Sequence, residues 1–432
     1  MLPLTIIISI LGLGLLAAAH EIGHYLVAVA LKIKVYELSI FVGPSLFHWK
    51  KNGVEFHIRC IPFGAYVRFS DFEEEERDDD DPRAILNQPR WKRIMVSLAG
   101  PIMNIILGVI ILSVLFSVSG FYTTKLDTIY DDTQIASTIA QEGDRIISVN
   151  GQRVYSEYDL ALDLSDIPEK ETLSVKLKSA KTGEKYEIVL TPEPRPIYML
   201  GITHYSKDGG EWEIIDVDPL QNDGNPVIEV GDIVLTIDGL SIDDPNIGNI
   251  IAESKGQALT VSLIRDGVPM ELSVKTFEAQ YVSPRGIYLQ QGKGIPDAIR
   301  EAFIFPASML RLTTYTISGA FAGDIESYNV VSGPVGMITA VSDVVEHEEI
   351  SISDKAETLV LIAGAISIGL AFTNLLPLPG LDGNAIVLLV IETIRGKRIS
   401  KKTEYVINVI GFIVIVSLVI FALASDIIRM RS

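Results

Sequence analysis

The chain has 432 residues, 48% of them hydrophobic, and a formal net charge of −19. A mean hydropathy of +0.33 is too high for an ordinary soluble protein and indicates a membrane protein with sizeable soluble parts. The acidic balance argues against a nucleic-acid partner, because phosphate binding needs basic patches, and the single cysteine, Cys60, excludes both an intrachain disulfide and a zinc site built from several cysteines.

The first predicted element is an apolar run without charge from Met1 to Ala19, followed by His20-Glu21-Ile22-Gly23-His24. On a helix this HExxH pattern places two imidazoles one turn apart, where both can bind one Zn²⁺, and the glutamate can act as a base. We expect a retained membrane span at about residues 2–31, because no basic segment precedes the run as in a signal peptide. Ionisable groups at membrane depth are costly unless partnered, which makes them candidates for function. The alternative is a span that ends at Ala19 and an interfacial motif.

Between the first two predicted spans, side chains alternate between apolar and polar, as in Val54-Glu55-Phe56-His57-Ile58-Arg59. This period of two predicts strands, and Lys51-Asn52-Gly53 predicts the turn of a β-hairpin over residues 48–69. The stretch from Ile61 to Val67 is apolar for a cytosolic loop, which fits a hairpin that dips into the membrane edge or lies over the motif. A small cytosolic β-layer fits the pattern equally well.

Three further stretches are apolar enough to cross a bilayer, at about residues 94–122, 358–391 and 405–425. Lysine and arginine are concentrated just after the first span, just before the second, and between the third and fourth. The positive-inside rule therefore predicts that these loops are cytoplasmic and that residues 123–355 lie outside. An acidic block from Glu73 to Asp81 predicts a solvated loop.

The predicted outer segment contains an internal repeat. Gly143-Asp144-Arg145-Ile146-Ile147-Ser148-Val149-Asn150-Gly151 recurs 88 residues later as Gly231-Asp232-Ile233-Val234-Leu235-Thr236-Ile237-Asp238-Gly239. Each copy predicts a strand that ends in an Asn-Gly or Asp-Gly turn, followed by a strand pair. Two copies indicate one small β-rich domain that is duplicated, and each copy resembles a PDZ domain. PDZ-like domains bind extended peptides by strand addition, so here they either bind a substrate or limit access by their bulk.

After the repeats, residues 295–320 mix apolar and charged side chains at helical spacing, which predicts an amphipathic helix at the membrane surface. Pro306 is expected to break or kink this helix.

The third predicted span contains Asn374-Leu375-Leu376-Pro377-Leu378-Pro379-Gly380-Leu381-Asp382-Gly383. Two prolines and two glycines predict an unwound backbone, which a bilayer tolerates only where protein buries it or water reaches it. Asp382 is the one charged side chain between Glu357 and Glu392, and a buried carboxylate stays charged only beside a cation. A metal ion bound by His20, His24 and Asp382 would satisfy both spans, whereas the alternative for Asp382 is a helix cap.

HExxH in the first span and LDG in a later one resemble the paired signature of the site-2 proteases, which are intramembrane zinc metalloproteases. Phe41-Val42-Gly43-Pro44 and Ala99-Gly100-Pro101-Ile102-Met103-Asn104 also match that family. The four spans and two PDZ-like repeats resemble the branch typified by the regulator of sigma-E protease (RseP-like). One departure is that Asp382-Gly383 continues with Asn384 where family members often have Gly-His. The resemblance implies that Asn374 helps to bind the substrate backbone.

The implied fold is a polytopic α-helical membrane protein with four transmembrane helices, a membrane-associated β-hairpin layer and two PDZ-like domains. The expected domains are 1–122 (two spans and hairpin), 123–200 and 201–282 (PDZ-like), 283–356 (helical connector) and 357–432 (two spans). We expect a multi-pass protein of the bacterial inner membrane, with the repeats in the periplasm and the metal site nearer the cytoplasmic side.

The implied activity is Zn²⁺-dependent hydrolysis of peptide bonds within the membrane, with Glu21 as the catalytic base. The implied substrates are single-pass membrane proteins such as anti-sigma factors, together with remnant signal peptides. One alternative is a catalytically inactive PDZ-bearing scaffold with a structural metal ion. A transporter is another, because broken spans with lone acids also mark transport paths, but four spans without visible inverted repeats fit it poorly.

Overall fold

The computed structural model describes residues 2–69, 81–165, 167–168, 171–207, 211–323, 336, 339, 341–342, 344–345 and 351–429. The chain divides into two compact units. The first comprises Met1–Lys125, Arg153–Asp163 and Leu289–Ser432, and the second comprises Leu126–Gln152 and Leu164–Tyr288. Most of the predicted acidic loop, residues 73–80, lies outside the described residues.

Long helices dominate the first unit. The described helices are, in chain order, α1 (Leu2–Ala30), α2 (Arg90–Ser119), α3 (Glu157–Ser165), α4 (Gln221–Gly224), α5 (Ile247–Glu253), α6 (Ile295–Ala322), α7 (Ile352–Asn374), α8 (Asp382–Arg395) and α9 (Lys401–Arg429). Among the described residues, four segments are long and apolar enough to cross a membrane: Ser9–Ala30, Arg90–Ser119, Ile352–Asn374 and Tyr405–Ile428. The first contains the whole HExxH motif, and α1 continues unbroken past Ala19 to Ala30.

The third span differs from its predicted bounds. The sequence predicts one span over residues 358–391, whereas α7 ends at Asn374 and α8 begins at Asp382. The unwound backbone between them is the predicted break. Prolines at 377 and 379 lack the N–H that would continue the helix, and Gly380 has a φ of +95°.

Pro306 was expected to break or kink its helix, and the predicted break is wrong. Helix α6 is continuous from Ile295 to Ala322 with Pro306 inside it. Ala302 and Phe305, just before the proline, are buried in a core shared with α2 and α7. We attribute the continuity to this packing, which stabilises the helix on both sides of the missing backbone hydrogen bond.

Sixteen strands are described. They are β1 (Glu37–Lys51), β2 (Val54–Arg68), β3 (Phe121–Leu126), β4 (Arg145–Val149), β5 (Gln152–Arg153), β6 (Leu173–Lys178), β7 (Lys185–Leu190), β8 (Pro194–Met199), β9 (Ile202–Lys207), β10 (Glu211–Val217), β11 (Ile233–Ile237), β12 (Leu240–Ser241), β13 (Ala258–Arg265), β14 (Val268–Lys275), β15 (Phe277–Val282) and β16 (Leu289–Gly292).

The predicted hairpin is present, with Asn52 and Gly53 in the left-handed conformation that a tight turn requires. It begins earlier than predicted, at Glu37, and it is folded on itself. Residues 37–40 pair with 55–58 on one side and with 65–68 on the other, while residues 45–51 pair with the outer side of 54–59. Four strand segments result, in the order 45–51, 54–60, 37–42, 61–68. We call the last one the inner edge strand; no described strand pairs with its outer side.

The inner edge strand lies against α1. A Cβ atom added at Gly14 would lie 2.5 Å from the backbone oxygen of Pro62 and 2.8 Å from the ring of Phe41. Gly14 lies within the first apolar segment, so the hairpin packs against the helix that carries the HExxH motif.

The second unit contains both repeated strings, at residues 143–151 and 231–239, together with the strand pair that follows each of them. The first copy forms a sheet in the order β4-β6-β7, and the second forms β14-β13-β11-β10-β9 with β12 beside β11. The two predicted turns are equivalent. Asn150 Oδ1 accepts a hydrogen bond from the backbone N–H of Ser174, and Asp238 Oδ1 accepts one from Thr260. The duplication predicted from sequence is therefore matched by repeated local structure.

Substitution of Gly14 tests the contact between α1 and the hairpin. Gly14→Ala should destabilise the protein by about 1–3 kcal/mol, because the new methyl group overpacks the contact with Pro62. Gly12→Ala is the matched control, since nothing lies within 4 Å of its added Cβ and alanine favours the helix. Thermal unfolding in detergent measures the difference. Equal midpoints for the two variants would contradict this packing.

Candidate metal centre

Two histidines from α1 and one aspartate from α8 meet in the first unit. His20 Nε2 lies 3.0 Å and His24 Nε2 lies 3.4 Å from Asp382 Oδ2, and the two Nε2 atoms are 3.1 Å apart. Among the described residues, this is the one group of three or more His, Cys, Asp or Glu side chains with ligand atoms within 4.8 Å of one another. The sequence predicted all three members.

Helix α1 determines the arrangement of the two histidines. Residues four apart lie on the same face of a helix, so His20 and His24 project side by side. Both are buried, at 8% and 7% exposure. Their burial and the apolar span around them leave the imidazoles few partners other than each other and Asp382.

Helix α2 approaches α1 closely because it carries glycine at the contact. A Cβ atom at Gly100 would lie 2.4 Å from His24 Nε2 and 2.6 Å from His20 Nε2. On the other helix, a Cβ atom at Gly23 would lie 2.5 Å from the backbone oxygen of Ala99. Neither glycine can therefore carry a side chain without moving a helix, which gives the predicted Ala-Gly-Pro match a physical role.

The same helix supplies hydrogen bonds to the far side of each imidazole. His24 Nδ1 lies 2.7 Å from the backbone oxygen of Val96, a carbonyl that can only accept. His24 must therefore carry its proton on Nδ1, which leaves Nε2 free to bind a metal ion. This carbonyl was not predictable from the sequence, since a backbone group leaves no mark in the residue pattern.

Asn104 plays the corresponding part for His20. Its amide nitrogen lies 3.3 Å from His20 Nδ1, while Asn104 Oδ1 is buried without a partner among the described residues. Turning the amide over places Oδ1 on the ring N–H and satisfies both groups, so His20 too presents a bare Nε2. Asn104 is the one amide side chain in the predicted second span, and this signal was available in the sequence.

The broken backbone before α8 positions Asp382. Gly383 lies so close to the start of the break that an added Cβ atom would be 2.2 Å from the backbone oxygen of Leu375. Pro379, in the middle of the break, packs against Gly411 of α9. The N-cap of α8 is Leu381, and no side chain caps this helix. The alternative in which Asp382 is a cap is therefore wrong.

Glu21 is held from the hairpin side. Its Oε2 atom accepts a hydrogen bond of 3.0 Å from the backbone N–H of Val67, in the inner edge strand. The carboxylate interacts electrostatically with both histidines and with Asp382. The predicted base therefore lies beside the three predicted ligands. The sequence predicted the hairpin but not its hydrogen bond to Glu21.

Asn374 is the last residue of α7 and is half-buried. It lies outside the ligand group, at the start of the break that leads to Asp382. The hairpin histidines also lie outside that group: the His48 and His57 rings stack 5.7 Å apart, and His57 lies 3.7 Å from Glu37.

The donor set fits zinc. Zinc takes imidazole nitrogen and carboxylate oxygen in tetrahedral sites, where bonds of about 2.0–2.1 Å place the ligand atoms about 3.3 Å apart. The three distances here, 3.0, 3.1 and 3.4 Å, match that spacing. Asp382 Oδ2 is buried and receives no hydrogen bond from the described residues. Two bare nitrogens and an anionic oxygen at such distances repel one another unless a cation lies between them.

The model of Peptidase family M50 matches residues 8–418 of the chain. The chain belongs to peptidase family M50. This M50 peptidase is 25% identical over 423 residues to a protein of Clostridium acetobutylicum, with 98% of this chain and 97% of that one covered. It is 26% identical over 460 residues to a protein of Neisseria meningitidis serogroup A, covering 99% of both. Each of these relatives carries the name "Putative zinc metalloprotease".

The family confirms the resemblance drawn from the two motifs. As an M50 peptidase, the chain is a zinc metalloprotease of the site-2 protease type, and Zn²⁺ is its cofactor. Its four apolar helices fit an integral membrane protein.

Replacement of Asn104 tests its contact with His20. Asn104→Leu keeps the volume but removes the amide, and zinc affinity should fall about 10–100-fold, as for other outer partners of ligand histidines. The control is Ser367→Ala, which removes a hydroxyl that donates to the backbone oxygen of Asn104 and leaves the His20 contact intact. Competition with a chelator measures both affinities, and equal values for Asn104→Leu and the unmodified protein would rule out this role.

Proposed function

We propose that the chain hydrolyses peptide bonds of single-pass membrane proteins within the bilayer, at a zinc ion bound by His20, His24 and Asp382. The convergence of these three side chains, from helices far apart in sequence, carries the proposal. Each charged group inside a membrane-spanning helix costs about 3 kcal/mol on insertion scales. A cluster of ionisable groups at this depth therefore indicates a functional site.

Zinc bound by His20, His24 and Asp382 would supply a Lewis acid at this site. Glu21 is the group suited to accept a proton from the attacking water and to return it to the leaving amine. The bond from Val67 holds Oε2 of this carboxylate and leaves Oε1 for the proton. An intact glutamate at this position argues for catalysis, because a purely structural metal site has no use for a base.

The substrate has to be unwound at the cleaved bond, because a helix buries its carbonyls in hydrogen bonds. The inner edge strand offers the backbone partner for such an extended segment. Val67 points its N–H away from β1 and towards Glu21, and with a period of two Ala65 presents its backbone on the same side. We propose that the substrate pairs with this strand by β-addition and that Asn374 helps to bind its backbone.

The site is proposed to lie nearer the cytoplasmic side of a bacterial inner membrane. His24 is six residues before the end of α1, or about 9 Å along the helix axis. That end is followed by Lys32 and Lys34, and α2 begins with Arg90, Lys92 and Arg93. The basic excess at both helix ends supports a cytoplasmic orientation, with the two repeats in the periplasm.

Anti-sigma factors already trimmed outside the membrane and remnant signal peptides are the proposed substrates. The strand topology of the two copies suits PDZ-like domains at 123–200 and 201–282, flanked by the helical parts at 1–122, 283–356 and 357–432. Such domains would either bind a peptide end by strand addition or exclude bulky outer domains.

The alternative is a PDZ-bearing scaffold in which the metal ion is only structural. It predicts bound zinc without turnover, whereas the proposed protease predicts both. Cleavage of a tagged single-span substrate by the purified zinc-loaded protein distinguishes the two.

Glu21→Gln should lower the rate of cleavage at least 100-fold and keep zinc bound, because the amide cannot take a proton but is not a ligand. Asp382→Ala is the companion variant and should lose both zinc and activity. Metal content and cleavage of the same reconstituted substrate are measured together. A normal rate for Glu21→Gln would remove the general-base role, and full zinc occupancy in Asp382→Ala would remove the third ligand.

A further inference from the structure

The hairpin contains a buried carboxylate that is not part of the metal centre. Glu37 is 6% exposed and opens β1, where it pairs with Glu55 on one side and with Arg68 on the other. A buried charge is tolerated only when several groups compensate it. The position of Glu37 between two halves of β2 makes it the junction of the folded hairpin.

Both oxygens of Glu37 are occupied. Oε1 accepts hydrogen bonds from Arg59 Nη2 at 2.7 Å and from the Tyr66 hydroxyl at 2.8 Å, while Oε2 lies 3.3 Å from Arg68 Nη2. Arg59 also donates to Ser39 Oγ at 2.8 Å. The carboxylate therefore connects the outer half of β2 to the inner edge strand through charged and hydroxyl donors.

Glu37 is ionised in this setting. Burial raises the pKa of its carboxyl, but the hydrogen bonds from Arg59 and Tyr66 outweigh burial and hold that pKa below its usual value. Burial and the contact with Glu37 raise the pKa of Tyr66, so the phenol remains a neutral donor. The bonds to the inner edge strand are thus charge-assisted, and such bonds are roughly twice as strong as neutral ones.

The two residues that Glu37 holds in this strand are the immediate neighbours of Val67. Val67 is the residue whose N–H donates to Glu21 Oε2. Tyr66 and Arg68 project to one face of the strand, and restraining both restrains the peptide group between them. A chain of contacts therefore runs from Glu37 through Tyr66 and Arg68 to the backbone that orients Glu21.

We propose that Glu37 is a positioning residue for the catalytic base: it fixes the inner edge strand at Val67 and thereby the orientation of Glu21. The inference rests on the proposed proteolytic function. Its expected effect is on turnover, because a shift of about 1 Å in a catalytic group can cost up to 100-fold in rate.

The test compares Glu37→Gln with Glu55→Gln. Glu55 lies in the same hairpin, but its side chain is 44% exposed and pairs with Lys50, so it is the matched control. Glu37→Gln should lower kcat about tenfold, with KM within twofold and zinc content unchanged. Glu55→Gln should match the unmodified protein. Loss of zinc, or a tenfold rise in KM with kcat unchanged, would overturn the positioning role.

A second readout does not depend on activity. Hydrogen–deuterium exchange of the metal-free full-length protein should be faster over residues 61–69 in Glu37→Gln and unchanged in Glu55→Gln. Equal exchange in Glu37→Gln and the unmodified protein would show that Glu37 does not hold the strand. This measurement also separates the two proposals: faster exchange in a protein that cleaves nothing would refute the proteolytic function and not the restraint on the strand.

A double-mutant cycle separates positioning from folding. In the Glu21→Asp background the shorter carboxylate does not reach the Val67 N–H, so adding Glu37→Gln should cost less than twofold in kcat. The same tenfold loss in both backgrounds would mean that Glu37 only stabilises the fold. If Glu37→Gln does not fold, Tyr66→Phe replaces it in both measurements, with an expected twofold to fourfold loss of kcat and the same criterion in the Glu21→Asp background.

Discussion

Two imidazole nitrogens and one carboxylate oxygen lie about 3 Å apart within a group of apolar helices, and the first unit is arranged around this contact. Three acceptors cannot stay so close without a cation between them, and a bilayer offers no water to screen them. The contact therefore requires that α2 approach without a side chain at Gly100, and that the third span stop at Asn374 so that Asp382 can turn inwards.

The parts of this arrangement that depend on side-chain chemistry were predictable from the sequence. The HExxH motif predicts that His20 and His24 lie side by side, since residues four apart share one face of a helix. Asp382 was predictable because a lone acid in an apolar span needs a cation, and the break before it because two prolines cannot continue a helix. The Asn-Gly and Asp-Gly turns of the repeats follow in the same way from local backbone preferences.

The features of the fold and the site that were not predicted depend on contacts that leave little trace in a single sequence. The carbonyl of Val96 binds His24 through its backbone, and any residue could occupy that position. The start of β1 at Glu37 follows from pairing with two separate parts of β2, and not from local alternation. The helix does not break at Pro306, because packing of α6 against the core outweighs the local preference of proline. The links between Glu37, Val67 and Glu21 also join residues that are distant in the sequence.

The backbone bond between Val67 and Glu21 has a consequence for where a substrate would be cut. A strand repeats its outward-facing backbone groups every second residue, so an extended substrate paired with the inner edge strand can shift only in steps of two residues. Each shift would move the cleaved bond by two positions and present the same alternate side chains to the protein. Heterogeneous products would then differ in length by even numbers of residues, because the hairpin would restrict which peptide bonds reach the cleavage site.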